Sequence, residues 1–179
     1  MGIRDFFKKK APSPEPVTDI RLADMGQGWM VDYDMKTWEV SARHHYDWGE
    51  GDVTYEWRLE SADETVYLSM ESDDDVHWSV SRKIPFSRLG AGVKEALVKT
   101  GDPPDEASLD GTRYRLAETG GGHFYKDGQG PGRRMLSWDF DDDSGRLFLT
   151  IEQWGENDFE ASVGKAEEEW RFSNILPGA

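Results

Sequence analysis

The 179-residue chain contains no cysteine. That absence excludes disulfide bridges, thiolate metal sites and a cysteine nucleophile. Long apolar runs are also missing, because no stretch approaches the roughly 18 uncharged residues that a membrane span needs. The first residues lack the charged-then-apolar pattern of a secretory signal. We therefore expect a cytoplasmic protein without a transmembrane segment.

Positive charge is scarce in this chain. Its 21 Lys and Arg residues stand against 36 Asp and Glu residues, which gives a formal net charge of −15. Such a surface repels nucleic acid, so we expect no DNA or RNA partner. The charge fits either a solvated acidic surface or the attraction of a cationic partner. Eight Trp, eight Phe and six Tyr residues are too many for a disordered acidic chain and indicate a folded core.

Apolar and polar residues alternate with a period of two from Gly28 onwards, which is typical of half-buried strands. The expected strands lie around residues 29–35, 38–42, 53–59, 66–71 and 76–80, and then around 114–116, 136–140, 147–151, 159–163 and 170–172. The gaps between them are short, rich in Asp, Glu and Gly, and of hairpin length. The chain is therefore predicted to be mainly β, with antiparallel meanders.

Two segments interrupt this alternation. Phe86, Leu89, Val93 and Leu97 recur at helical spacing before Gly101 ends the pattern, which predicts one helix over residues 86–100. The glycine-rich segment 120–132 lacks the Lys and Ser or Thr of a phosphate-binding loop. We interpret that segment as a flexible loop.

The two halves of the chain match at a constant offset of 81 positions. The matched pairs are Trp57 with Trp138, Leu68 with Leu149, Glu71 with Glu152, and Trp78 with Phe159. This pattern predicts two related antiparallel meanders, residues 24–84 and 106–177, joined by the helix over 86–100. We expect them to pack about a pseudo-twofold axis as a single β domain over residues 24–177.

Residues 1–23 have a different character. The sequence MGIRDFFKKK is followed by the proline-rich APSPEP, which is typical of a short amphipathic foot on a linker. The residues that would contact a membrane surface or a partner are Ile3, Phe6, Phe7, Lys8 and Lys9. Ten residues are marginal for an isolated helix, so a frayed terminus is the alternative.

Several segments carry a family resemblance: YEWRL, YLSMESDDDVHWSV and LSWDFDDDSGRLFLTIEQWGENDFEASVG with the later NILP. Over residues 24–177 the chain resembles the domain of unknown function (DUF) family 4178. The resemblance implies an accessory component rather than an enzyme, encoded near membrane-stress and polyamine-related proteins. It supplies no catalytic residues. The glycine-rich insert and the strong acidity depart from the family pattern.

Two carboxylates and two tryptophans are the candidate ligand-binding residues. Glu71 and Glu152 hold matching positions near strand ends, so they would form a cation site or an acid/base pair if they meet. Alternatively, each fixes its own hairpin by accepting hydrogen bonds. Trp48 and Trp154 stand among acidic residues, which suits either a cation-binding groove or the rim of a sheet.

Metal and cofactor sites are not indicated. His44 and His45 are adjacent, so on a strand they point to opposite faces and cannot readily share a metal. The runs Asp73–Asp75 and Asp141–Asp143 lack the ligand spacing of a calcium loop and fall at expected turns. No GxSxG motif is present. We expect no cofactor, no metal and no enzymatic activity.

These observations favour a non-catalytic module that binds another protein as an adaptor, in a membrane-stress or polyamine-related process. The first alternative is a protein that binds a small cationic ligand of the polyamine type, or a metal. The second alternative is an unrecognised hydrolase that uses Glu71 and Glu152.

Overall fold

The computed structural model describes residues 20–72 and 74–178. Eleven strands form one antiparallel sheet, and their bounds are β1 Met30–Tyr33, β2 Lys36–Gly49, β3 Asp52–Glu60, β4 Thr65–Ser72, β5 Val76–Ile84, β6 Glu106–Leu109, β7 Thr112–Tyr125, β8 Arg133–Asp142, β9 Leu147–Gly155, β10 Asp158–Glu167 and β11 Ser173–Leu176. One α-helix, α1, spans Ala91–Thr100, and 3₁₀ turns cover Leu22–Asp24, Phe86–Leu89, Lys126–Gly128 and Glu169–Arg171. The prediction of a mainly β single domain is confirmed.

The sheet closes on itself. Its strand order is β11-β1-β2-β3-β4-β5-β10-β9-β8-β7-β6, and β2 also pairs with β7. The closing pairs are His45 with Tyr125, Tyr46 with Phe124 and Asp47 with His123. Eight strands, β2–β5 and β7–β10, therefore form a closed ring. Strands β1, β11 and β6 extend the sheet beyond it.

The two long strands, β2 and β7, each serve two pairings. The first part of β2 pairs with β1, whereas its last part pairs with β7. The first part of β7 pairs with β6 in the same way. Register shifts lie between Val40 and Ala42 in β2 and between Leu116 and Glu118 in β7. Because a bulge bends a strand, these shifts let each long strand leave the outer layer and enter the ring.

Two apolar clusters cover the outer face of the ring. The first packs β1 and the first part of β2, including Trp38, against Trp57 of β3 and Leu68 of β4. The second packs α1, through Val93 and Leu97, on strands β8–β10. Alternation therefore places the apolar residues of the ring strands outwards, under these layers, and their polar residues inwards.

Two predictions about local structure need correction. Gly90, with a φ of 83°, ends the 3₁₀ turn before α1 begins, so residues 86–100 do not form one continuous helix. The segment 120–132 is not a flexible loop throughout, because residues 120–125 belong to β7. A Cβ atom on Gly122 would lie 2.7 Å from the carbonyl oxygen of Asp47. Glycine is thus required where β2 and β7 close the ring.

Other predictions remain open. The series β1–β5 and β6–β10 have the same order of short, long and hairpin strands, but the pseudo-twofold repeat stays a prediction. The contacts proposed for Ile3, Phe6, Phe7, Lys8 and Lys9 lie outside the described residues. Leu22, assigned by the sequence to the linker, is buried in the first cluster. None of the helices in the described part of the chain has the length and hydropathy needed to cross a membrane.

Candidate functional site

The inside of the ring is polar and acidic. A cavity of about 290 Å³, called the central cavity here, is lined by Tyr46, Trp48, Thr54, Glu56, Ser69, Glu71, Ser79, Ser81, Glu118, Ser137, Asp139, Asp141, Phe148, Thr150, Glu152 and Ser162. Six of these side chains are carboxylic acids, and none is Lys or Arg. Hydroxyl groups supply most of the remaining polar lining. The cavity is therefore suited to a ligand that carries positive charge and donates hydrogen bonds.

Two further cavities adjoin the central one at opposite ends of the ring strands. The acidic mouth, about 440 Å³, is lined by Trp48, Asp52, Thr54, Glu71, Ser72, Glu118, Gly120, Gly121 and Asp139. The basic mouth, about 510 Å³, is lined by His44, Tyr46, Glu56, Arg58, Tyr67, Lys83, Phe124, Lys126, Gln129, Pro131, Arg133, Trp154 and Glu160. The central cavity shares residues with both, including Glu71 with the acidic mouth and Glu56 with the basic one.

Glu56 and Glu152 are the most perturbed acids of the central cavity. Burial, reinforced by the charge of Glu152, raises the pKa of Glu56 to about 8. Burial also raises the pKa of Glu152 to about 7, although the nearby Lys83 ammonium opposes that rise. The Tyr46 hydroxyl, itself buried, favours the charged form of both carboxyl groups by hydrogen bonding. At neutral pH the pair therefore retains protons that an incoming cation would displace.

Asp139 and Glu71 continue the acidic lining towards the acidic mouth. Asp139 accepts hydrogen bonds from the hydroxyl groups of Thr150, at 2.6 Å, and Ser137, at 3.1 Å. Burial nevertheless raises the pKa of Asp139. Glu71 lies at the acidic mouth and remains in contact with solvent. Partial burial of its carboxyl group, together with the charge of Asp139, raises its pKa as well. Acidic side chains from strands on both sides of the ring thus line the cavity as far as the acidic mouth.

Aromatic rings flank the carboxylates. Tyr46 stacks on Trp48 with ring centroids 5.7 Å apart, and it also contacts Phe124 at 5.0 Å. Phe124 meets Trp154 edge to face at 5.4 Å. Close packing here depends on glycine, because a Cβ atom on Gly122 would lie 2.9 Å from Trp48. Rings beside carboxylates can hold a cation both by direct charge and through their faces.

The comparison with family models assigns the chain. Residues 26–169 match the model described as Domain of unknown function (DUF4178). The chain belongs to the DUF4178 family. This DUF4178 chain is also similar to an uncharacterized protein of Aquifex aeolicus (strain VF5), with 28% identity over 172 residues that cover 96% of this chain and 94% of the relative. No solved structure matches it significantly.

The four ligand-binding residues predicted from the sequence all line the inside of the DUF4178 ring. Glu71 and Glu152 share the central cavity, on strands β4 and β9 respectively. Trp48 borders the central cavity and the acidic mouth, whereas Trp154 lies in the basic mouth. The fold therefore brings Glu71, Glu152 and Trp48 to one cavity, and it places Trp154 in the adjoining one. Their role in binding stays a prediction.

Sequence reasoning missed Glu56, Tyr46 and Asp139. Glu56 lies between Tyr55 and Trp57, so the alternation made it look like an ordinary solvent-facing strand residue. Only the closure of the ring turns that polar face into a cavity wall. Within residues 20–72 and 74–178, no group of three or more His, Asp or Glu side chains is arranged to hold a metal ion.

Proposed function

We propose that this DUF4178 protein binds a small organic cation, a primary amine, in the central cavity. The observation that carries the proposal is the pair Glu56 and Glu152. Neither carboxyl group forms an ion pair with a described residue, and both line the central cavity, which has no Lys or Arg side chain. The charge of Lys83 acts on both carboxyl groups, but that ammonium group is paired with Glu160. A buried carboxylate without an ion pair of its own is costly, so a ligand ammonium group would supply that partner.

The lining favours an ammonium group over a metal ion. A metal needs several oxygen or nitrogen ligands that converge on one point, and the described residues offer no such cluster. An ammonium group instead donates up to three hydrogen bonds to separate acceptors and tolerates a neighbouring ring. Glu56, Glu152 and the hydroxyl groups of Ser69 and Ser81 provide acceptors on different strands. The volume suits a small linear amine.

The experiment is a thermal and calorimetric titration with 1,5-diaminopentane at pH 8.5, where the carboxyl groups are largely ionised. Ligand at a hundredfold excess over its dissociation constant should add about 2.7 kcal/mol to the free energy of unfolding. Glu152→Gln should weaken binding at least tenfold. Glu39→Gln, on the exposed outer part of β2, removes the same formal charge and should leave affinity unchanged.

Magnesium chloride at matched ionic strength is the control for general charge screening. An equal effect of Mg²⁺ and the diamine, or no loss in Glu152→Gln, would contradict the proposal. The absence of any binding by the diamine would contradict it as well.

The adaptor function inferred from the sequence stays a prediction. A docking surface needs contiguous exposed apolar side chains. Within the described residues, each large exposed apolar side chain lies on a different element or turn: Met35, Val76, Val98, Leu136, Leu147, Trp170 and Leu176. The hydrolase alternative also stays a prediction, although Glu71 and Glu152 border the same cavity.

A further inference from the structure

The basic mouth contrasts with the rest of this acidic chain. Four basic side chains, those of Arg58, Lys83, Lys126 and Arg133, line one cavity of about 510 Å³. The protein as a whole carries a formal charge of −15. Beside a cavity that would hold a cation, such a concentration of positive charge has no role in holding that cation. It therefore points to a second recognition element.

The positive charge in the basic mouth is only partly neutralised. Arg58 Nη2 lies 2.6 Å from a carboxylate oxygen of Glu60. Arg133 Nη2 lies 2.9 Å from Asp158, and Lys83 pairs with Glu160. Lys126, by contrast, forms no ion pair with any described residue.

Two nitrogen donors of the basic mouth lack acceptors. Nε of Arg58 and Nε1 of Trp154 are buried, and neither has a hydrogen-bond partner among the described residues. A buried donor without an acceptor costs about 1–3 kcal/mol, so native structures rarely keep one without a reason. The Arg133 guanidinium lies 4.9 Å from the centre of the Trp154 ring. The two donors without partners therefore leave the basic mouth able to bind a hydrogen-bond acceptor beside this guanidinium group.

Strand geometry fixes the distance between the acidic and basic groups. Glu56 and Arg58 are neighbours on the inward face of β3, and Glu152 and Trp154 hold the same relation on β9. Two residues along a strand span about 7 Å. An amine beside Glu56 and Glu152 would therefore place a group about 7 Å away beside Arg58 and Trp154.

We infer, on the basis of the proposed function, that the natural ligand is a small amphoteric molecule with an amine at one end and an anionic oxygen group at the other. The amine lies between Glu56 and Glu152 in the central cavity. The anionic group, a carboxylate or a phosphate, lies in the basic mouth and accepts hydrogen bonds from Arg58 and its neighbours. The opposite charges of the two chambers give the ligand one orientation.

Three probes with the same five-carbon chain test this inference: 5-aminopentanoate, 1,5-diaminopentane and pentanoate. Calorimetric titration of the full chain at pH 8.5 should show 5-aminopentanoate binding at least tenfold more tightly than either of the others. Lys126→Met should weaken 5-aminopentanoate about fivefold or more and leave 1,5-diaminopentane unchanged or slightly tighter. Lys94→Met, which removes an exposed charge on α1, is the matched control and should change neither affinity.

The outcomes separate this inference from the proposed function. Tighter binding of the diamine than of 5-aminopentanoate would overturn the amphoteric ligand while the proposed amine site stands. Equal effects of Lys126→Met on both probes would also overturn it, because the mouth would then not distinguish the anionic end. If no amine binds, the proposed function fails and this inference fails with it. The same titration with 3-aminopropyl phosphate distinguishes a phosphate from a carboxylate at the anionic end.

Discussion

Replacing Glu56 by Gln should stabilise the protein in alkaline solution and have a much smaller effect in acid. Glu56 keeps its proton in the folded state up to about pH 8, whereas its reference pKa is 4.5. Between these values the folded state binds more protons than the unfolded state, so the free energy of unfolding falls as pH rises. The Glu56→Gln variant has no proton to lose and should avoid this decline.

The size of this effect on the free energy of unfolding follows from the rise in the pKa of Glu56. A rise of roughly 3.5 pKa units corresponds to a ceiling of about 5 kcal/mol above pH 8. Water entering the cavity lowers that figure, so we expect Glu56→Gln to exceed the wild-type free energy of unfolding by about 2–4 kcal/mol at pH 9. At pH 5 Glu56 is protonated in the folded state but already largely ionised in the unfolded state, so the difference should be only about 1 kcal/mol.

The assay is urea unfolding followed by tryptophan fluorescence at pH 5, 7 and 9. Glu39→Gln controls for the change in net charge and should follow the wild-type profile. A Glu56→Gln variant that is destabilised equally at pH 5 and pH 9 would refute the reasoning, because Glu56 would then be charged in the folded protein throughout this range.

Two further substitutions test the packing around the ring. Gly164→Ala should cost about 2–3 kcal/mol of the free energy of unfolding, because the new Cβ atom would meet the Phe148 ring and lie 2.6 Å from the Val80 carbonyl oxygen. Gly92→Ala, at an open position on α1, should be neutral or stabilising by up to about 1 kcal/mol. Equal urea midpoints for the two variants would contradict this prediction. Trp57→Phe should lower the free energy of unfolding by about 2 kcal/mol, because the indole nitrogen donates a hydrogen bond of 2.8 Å to the buried Met25 carbonyl oxygen. The control is Trp170→Phe, which changes a side chain that is 76% exposed and should leave the urea midpoint unchanged.

The strands of the fold could be predicted because one face of each packs on an apolar layer. The alternation through Tyr55, Trp57 and Leu59 predicts β3, and both Trp57 and Leu59 are fully buried. Hairpin turns could be predicted as well. Asp142 accepts hydrogen bonds from the backbone nitrogens of Arg146 and Leu147, as expected for an acidic turn residue.

Closure of the ring could not be predicted from this pattern. A strand whose polar face lines a cavity has the same alternation as one whose polar face meets solvent, so Glu56 looked unremarkable. The closing contacts join Asp47 to His123 and Tyr46 to Phe124, which are far apart in the chain. The glycine run around Gly122 was misinterpreted for a related reason. Glycine usually marks a turn or loop, but here it admits the backbone of the neighbouring strand.

The candidate site shows the same division. Two of its acids, Glu71 and Glu152, could be proposed because the two halves of the sequence match at these positions. The basic mouth could not be proposed, because Arg58, Lys126 and Arg133 are dispersed in the sequence and meet only when β2 pairs with β7.

The most direct test of the central claim is a calorimetric titration of 1,5-diaminopentane at pH 7 in two buffers of different ionisation enthalpy. A carboxyl group with a pKa near 8 is about 90% protonated at pH 7, so amine binding beside Glu56 should release close to one proton. The Glu56→Gln variant should release markedly less. Binding without proton release, or release that is unchanged in Glu56→Gln, would place the amine elsewhere and contradict the account.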